Sequence, residues 1–388
     1  RDEKVMVEFV SANPTGPMHM GNARGGALGD CLAAVLDKAG YNAWREFYVN
    51  DAGNQIEKFG CSLEARYLQI FKGDEIEFPE DGYQGEDIKD LAKEYADLNG
   101  DSLVNVSAEE RKKALVDYAL PKNIKKMQAD MEKYKIFYDK WFFESELHKS
   151  GAVKAVVDLL TEKGLTYEKE GAVWYKNKEV LTHKLLKEGK SQKYIDNLEL
   201  KDDVLIRQNG NPTYFTADIA YHKNKFDRGF TTLIDVWGAD HHGHVMRMKG
   251  AMDAIGYDGD KLNVVLMQLV KLVKDGELVR MSKRTGKAIQ LGDLLDEVPV
   301  DSARFLFNTK EANTQMDFDL DLAVSQDNQN PVYYVQYAHA RICSIFKSLA
   351  KEGISPRECT DAELALLTAP EEKELINHLA SYTNEIIS

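Results

Sequence analysis

Between Phe9 and Asp30 the chain reads FVSANPTGPMHMGNARGGALGD. His19 and Asn22 carry hydrogen-bond donors, and Gly21 lets the backbone approach a ligand because it has no Cβ. Unpaired N–H groups at a helix start, together with the helix dipole, attract phosphate. The stretch therefore predicts a nucleotide site; the plainer reading is a strand-to-helix turn with an incidental histidine. Its spacing is neither of the two common phosphate loops, since there is no GxxxxGK[ST] and no GxGxxG after the first strand. A second cluster, Asp240-His241-His242-Gly243-His244, sets three histidines within four residues. Such a run can hold a metal, but no cysteine or fourth ligand is obvious, and no metal site is expected. The third cluster is basic. Lys271 to Lys287 carries six lysines and arginines against Asp275 and Glu277, while the whole chain has a formal charge of −14. A solvated basic loop explains that run on charge alone. A nucleic-acid binder with so acidic a body would confine its contacts to patches of this kind.

These residues need elements to hold them. Val5 to Val10 is a short apolar run, and Leu28, Cys31, Leu32, Val35, Leu36 and Ala39 then recur at helical spacing. Ala43 to Val49 reads as a second strand, and Ile56 to Phe71 as a second helix. This βαβα start predicts a parallel sheet with crossover helices. Lys72 to about Lys201 is charged and helix-rich: an acidic loop over 73–85, helices near Ile88–Leu98 and Ala108–Tyr138, and another over Val153–Lys163. Tyr134, Phe137, Tyr138, Trp141, Phe142 and Phe143 form an aromatic cluster read as core. The stretch is taken as an insertion between two halves of the sheet. The sheet is expected to resume at Val204-Leu205-Ile206, with a turn over Asn209–Pro212. Thr231 to Trp237 reads as strand, Gly238 to His244 as polar loop, and Val245 to Ile255 as helix. Leu262 to Val270 is continuously apolar, as in a strand buried on both faces. From Asp327 the chain turns helical, with Val332, Val335, Ala338, Ile342 and Phe346 on one stripe.

Two distant motifs belong together. His19-Met20-Gly21-Asn22 and Met281-Ser282-Lys283-Arg284 resemble the paired motifs of class I aminoacyl-tRNA synthetases, known by their consensus letters as HIGH and KMSKS. The flanking stretches SANPTGPMHMGNARG, REFYVNDAGNQ, PTYFTADIAYH, VWGADHHGH and NPVYYVQYAHARI are similar to arginyl-tRNA synthetase. The resemblance runs from about Val5 to the end of the chain.

It implies an α/β fold in which a Rossmann-type parallel-sheet catalytic domain (residues 1–72 and 202–326) is split by a helix-rich insertion (73–201). The start of an all-α anticodon-binding domain (327–388) follows. It implies ATP with Mg2+, arginine and tRNA as ligands: adenylate formation, then transfer to the terminal adenosine. His19, Asn22 and Lys283 would be catalytic. Gly21, Gly238, Asp240, His241, Met281 and Ser282 would join them in binding ATP, and Ser11, Asn13, Tyr214, Asp218 and His241 would bind arginine. The sequence departs from the motifs twice: Asn22 replaces the second histidine, and Arg280 the first lysine. Asn22 still donates a hydrogen bond but never carries positive charge. Asn50, Asp51 and Gln55, polar residues after the second strand, are weaker candidates, Asp51 having a helix cap as its plainer role.

No apolar run approaches the roughly 18 residues that span a membrane. The four cysteines form no CxxC pair, so reduced thiols in a cytoplasmic protein are expected. A monomer is expected. The family carries further domain before the first strand and a longer helical end, so this chain reads as a piece of a longer protein. Two other classes stay open: an adenylate-forming ligase that makes an amide, and a non-catalytic binding paralogue. The helical tail argues against the first, and retention of His19, Gly21 and Lys283 against the second.

Overall fold

The computed structural model describes residues 3–279 and 289–388. In chain order the first half contains β1 (Lys4–Glu8), α1 (Met20–Lys38), β2 (Asn42–Val49), α2 (Asn54–Lys72), α3 (Glu86–Asn99), α4 (Ala108–Lys133), β3 (Lys140–Phe143), α5 (Glu144–Lys149) and α6 (Ala152–Glu162). Then come β4 (Thr166–Lys169), β5 (Ala172–Tyr175), α7 (Asn177–Lys187), α8 (Gln192–Asp196), β6 (Asp203–Ile206), α9 (Tyr214–Asp227), β7 (Thr232–Gly238) and α10 (His242–Ile255). The rest holds β8 (Leu262–Met267), β9 (Val270–Lys274), β10 (Glu277–Val279), α11 (Leu291–Glu297), α12 (Val300–Phe307), β11 (Met316–Asp319), α13 (Leu320–Val324) and α14 (Pro331–Lys351), with short helices after it.

Five strands form one parallel sheet in the order β3-β2-β1-β7-β8. Strand order reverses direction between β1 and β7, which makes the crevice beyond their carboxyl ends the natural ligand position. Alternate residues of each strand feed separate cores. Val7, Phe47 and Val49 pack on one face with α1, Met127, Met131 and Phe307. Met6, Tyr48 and Leu233 pack on the other with α6, α9 and α10. α1 lies close on the sheet because glycines face it: a Cβ at Gly29 would come 2.1 Å from the Phe9 ring.

α2, α3 and the first half of α4 build a third core from Phe59, Leu63, Tyr67, Ile88, Leu115 and Ala119. The last turns of α4 leave it and enter the first core through Met127 and Met131.

The two early strands and helices fall where the periodicity puts them. Several expectations are corrected. Val204–Ile206 is not the resumption of the parallel sheet: as part of β6 it pairs antiparallel with β5 in a small separate sheet. The parallel sheet resumes at β7. Within the stretch read as insertion, β3 pairs parallel with β2 and forms a sheet edge. The aromatic cluster there is largely core, with Tyr134 and Phe142 buried, but Phe137 is exposed. The apolar run from Leu262 divides: β8 ends the parallel sheet, Leu269 is exposed, and β9 starts another sheet with β10 and β11. β8 is an edge strand, so most of it is half-buried and not covered on both faces. His242 and His244 belong to α10, since the helix starts three residues before Val245. On α14 only Val332 of the expected stripe is buried, while Val335, Ile342 and Phe346 are about half exposed. Among the described residues no helix is long and apolar enough to cross a membrane.

Candidate functional site

β1 delivers its chain to the sheet's carboxyl edge at Glu8, and the backbone then turns sharply. Val10 and Ser11 have φ of 69° and 43°. For a β-branched residue such as Val10 this is an outlier, and each strained residue costs on the order of 1–3 kcal/mol. Hydrogen bonds hold the turn: Ser11 Oγ donates to Glu8 Oε1 at 2.7 Å and accepts from Tyr48 N–H at 3.2 Å. Asn123 of α4 donates to Pro14 O at 2.9 Å and pins the next step. Ser11 is thus committed to shaping the loop, while Asn13 is exposed beyond it.

His19 caps α1. Its backbone N–H donates to Asn22 Oδ1 at 2.9 Å, so the Asn22 side chain closes the first turn and keeps its amide N–H groups for a ligand. Gly21 is exposed, and a Cβ there would meet nothing within 4 Å. The positive end of α1 is therefore open where a phosphate would sit.

Met281, Ser282 and Lys283, with Arg280, lie outside the described residues. Both flanks of that stretch are placed. β10 ends at Val279. At the other end Leu291 N–H donates to Met18 O at 2.9 Å and Met20 N–H to Ile289 O at 3.4 Å, with Gln290 bridged to His19. The chain carrying the second motif thus rejoins the fold on the first.

On the other side of the crevice β7 ends at Gly238, and a one-turn helix presents Asp240 and His241, both largely exposed. Gly238 allows this, because a Cβ would come 2.5 Å from Asp240 Oδ1. On α9 Tyr214 is exposed at the first position. Asp218, one turn on, pairs with His244 of α10 at 3.1 Å. Asp218 O accepts from His222 Nδ1 at 2.7 Å, and His222 Nε2 faces Asp235 at 2.7 Å. Lys225 joins Asp235 (2.8 Å) to Glu8 (2.5 Å). One hydrogen-bonded chain, buried at His222, Asp235, Lys225 and Glu8, therefore runs from Asp218 to Ser11. Burial opposes the charge on Lys225, but Asp235 and Glu8 outweigh it and hold its pKa above the ordinary lysine value.

Several members were not legible as site residues. Glu8 had a signal, a carboxylate inside an apolar strand. Lys225 and Glu144 had none. Glu144 is buried, accepts from Tyr48 OH at 2.8 Å and faces His148 at 3.2 Å. Burial, with Asp218 among the nearby charges, raises its carboxyl above the usual range. Among the weaker candidates, Asp51 Oδ1 accepts from Ser145 N–H at 2.8 Å at the start of α5, and Gln55 Oε1 accepts from Tyr83 OH at 3.0 Å.

This geometry meets known proteins at family level. Residues 1–342 match the model of the class I (R) tRNA synthetase catalytic domain, and residues 335–388 that of the DALR anticodon binding domain. An arginine–tRNA ligase of Ruminiclostridium cellulolyticum is 58% identical over 386 residues, covering 99% of this chain and 65% of that protein. One from Acetivibrio thermocellus is 56% identical over 388 residues, covering 100% and 66%. The chain thus spans about two thirds of the length of these curated relatives. A Campylobacter jejuni structure assigned to arginyl-tRNA synthetase superposes with a TM-score of 0.77 at 37% identity, over 92% of this chain and 73% of that one. The strand reversal, the open end of α1 and the return of Ile289–Leu291 onto Met18–Met20 are therefore features of a chain that belongs to the class I arginyl-tRNA synthetase family.

Proposed function

We propose that this chain activates arginine with ATP and transfers it to the terminal adenosine of its tRNA. The observation that carries the reading is the return of Ile289–Leu291 onto Met18–Met20. It supports a site in which Met281, Ser282 and Lys283 reach the phosphates held at His19, Gly21 and Asn22. Gly238, Asp240 and His241 take the adenosine across the crevice. ATP enters as its Mg2+ complex. The arginine carboxylate attacks the α-phosphorus, a P–O bond forms, and the bond to pyrophosphate breaks. No enzyme nucleophile is needed; donors that stabilise spreading phosphate charge are. In the second step a ribose hydroxyl of the terminal adenosine attacks the acyl carbon and AMP leaves.

Asp218 is the carboxylate proposed for the guanidinium, flanked by Tyr214, with Asn13 and His241 nearer the carboxylate end. Glu144 adds a second acidic group to that neighbourhood. Ser11 contributes through the loop it braces. The catalytic unit is taken as residues 1–72 and 202–326 together with β3, the connective region as the rest of 73–201, and the helices from 327 as the start of the tRNA-binding domain. ATP–pyrophosphate exchange across the amino acids, with and without tRNA, tests the reading. Arginine-specific exchange followed by charging of tRNA is expected. Exchange with another amino acid, or adenylate formation with no transfer to tRNA, would overturn it.

A further inference from the structure

Arg24 sits in the second turn of α1 at 0% exposure. Arginine keeps its charge inside a protein, and a fully buried one is normally paired with a carboxylate. Arg24 pairs with none among the described residues. Its bonds run to main-chain carbonyls instead. Nη1 donates to Gln268 O at 3.0 Å and to Thr314 O at 2.9 Å, and Nη2 donates to Glu311 O at 2.7 Å. Nε has no hydrogen-bond partner among the described residues. A whole charge is thus kept out of water by three carbonyls from two distant segments.

Gln268 stands between β8 and β9, and Glu311 to Thr314 form the turn before β11, where Thr314 N–H donates to Glu311 O at 3.0 Å. Gln268 N–H donates to Ala312 O at 2.8 Å, so the two segments are joined to each other, and the guanidinium fixes the pair to α1. β9 and β11 are neighbours in the small sheet β10-β9-β11. Its remaining strand, β10, ends at Val279 opposite Leu272 of β9 and leads straight into Arg280 and Met281. One side chain therefore ties the helix that opens with the first motif to the sheet that leads into the second. The bonds of Met18 and Met20 to Leu291 and Ile289 hold the far flank of the second motif, and Arg24 holds the near one. Resting on the proposed function, we infer that Arg24 is a positioning residue: it fixes the root of the second motif on α1, and through it the delivery of Lys283 to the phosphates at His19 and Asn22. Lysine cannot replace it, because an ammonium is a point charge on a flexible stem, whereas the planar fork reaches three acceptors at once.

The test is a double-mutant cycle on the full chain: wild type, Arg24→Lys, Lys283→Ala and the pair, each followed by arginine-dependent ATP–pyrophosphate exchange. Arg24→Lys is expected to lower kcat about tenfold, as for lost hydrogen bonds to a charged group, with KM for arginine unchanged. In the Lys283→Ala background the same substitution is expected to cost less than about twofold, because residues that act through one interaction are not additive. A role in stability alone gives the opposite result: the two losses multiply, and multiplied losses overturn the inference. So does an Arg24→Lys enzyme as fast as wild type. If Arg24→Lys shows no cooperative melting transition, Arg24→Gln carries the same cycle, since its neutral amide is less costly to bury. Loss of folding in both variants would make Arg24 a residue of the fold alone and overturn the inference. A wild-type chain without arginine-dependent exchange, or a Lys283→Ala chain as fast as wild type, overturns the functional reading, and the inference with it.

Discussion

Asp218 is partly buried, paired with His244, and on the same helical face as Tyr214. A guanidinium presents five donors in a plane, and a carboxylate accepts them in pairs. Asp218→Asn keeps the shape and removes the charge. Truncating one partner of such a pair costs about 2–5 kcal/mol. Arginine KM in the exchange assay is therefore expected to rise about thirtyfold or more while KM for ATP holds; near-normal arginine use would move the specificity carboxylate elsewhere, with Glu144 next in line. Asn22 divides its side chain between two tasks. Its oxygen closes the first turn of α1 and its N–H groups remain for the ligand. Asn22→Asp keeps the acceptor, suits the helix dipole and loses both donors. Its melting temperature should match or exceed wild type, with exchange at least tenfold slower. Equal loss of both would mean that Asn22 serves only the turn.

At the scale of elements, two glycines of α1 make opposite predictions. Gly29 faces Phe9 with no room for a methyl group, and Gly21 faces open space. Gly29→Ala should destabilise by about 1–3 kcal/mol through overpacking, read as a lower denaturant midpoint. Gly21→Ala should leave the midpoint unchanged or slightly raised, because glycine is the poorer helix residue by about 0.5–1 kcal/mol. It should still impair ATP use, and an unimpaired Gly21→Ala enzyme would remove Gly21 from the nucleotide site. The same elements show what the sequence made legible. β1, α1, β2 and α2 were legible because local periodicity determines them. Val204–Ile206 and the run from Leu262 were not, because an apolar stretch does not name its partner strand. His19 and Gly21 stood out by motif. Lys225 and Glu144 did not, since only the folded chain removes them from water and gives them hydrogen-bond partners.

The buried group of Glu8, Lys225 and Asp235 joins both halves of the sheet and gives the whole molecule an acid limb. Burial alone would raise the Asp235 carboxyl, but Lys225 and His222 outweigh it and hold it at about 2. An unfolded aspartate titrates near ~3.9. The ionised Asp235 therefore contributes stability above about pH 4, and this is lost as pH falls towards about 2. Glu8 runs the other way, since burial outweighs Lys225 and raises its carboxyl, so its protonation offsets part of the loss. Lys225→Met leaves two buried carboxylates without their cation. It is expected to cost about 3–5 kcal/mol near neutrality and to flatten the fall in urea midpoint between pH 4 and 2. An unchanged fall would place the acid limb in other carboxylates.

The position of β1 in its sheet also sets a timetable. Its partner β2 follows it directly, but on its other side it pairs with β7, whose first paired residue is Thr232. At about 5–20 residues per second on the ribosome, that second edge waits on the order of ten to forty seconds for its partner. During that interval the chain displays a short, apolar strand flank to its surroundings. The stretch that later organises the site is thus the one most exposed to wrong pairing at birth. Slower elongation between β2 and β7 should lengthen that exposure and raise the share of newly made chains held by chaperones or lost to aggregation.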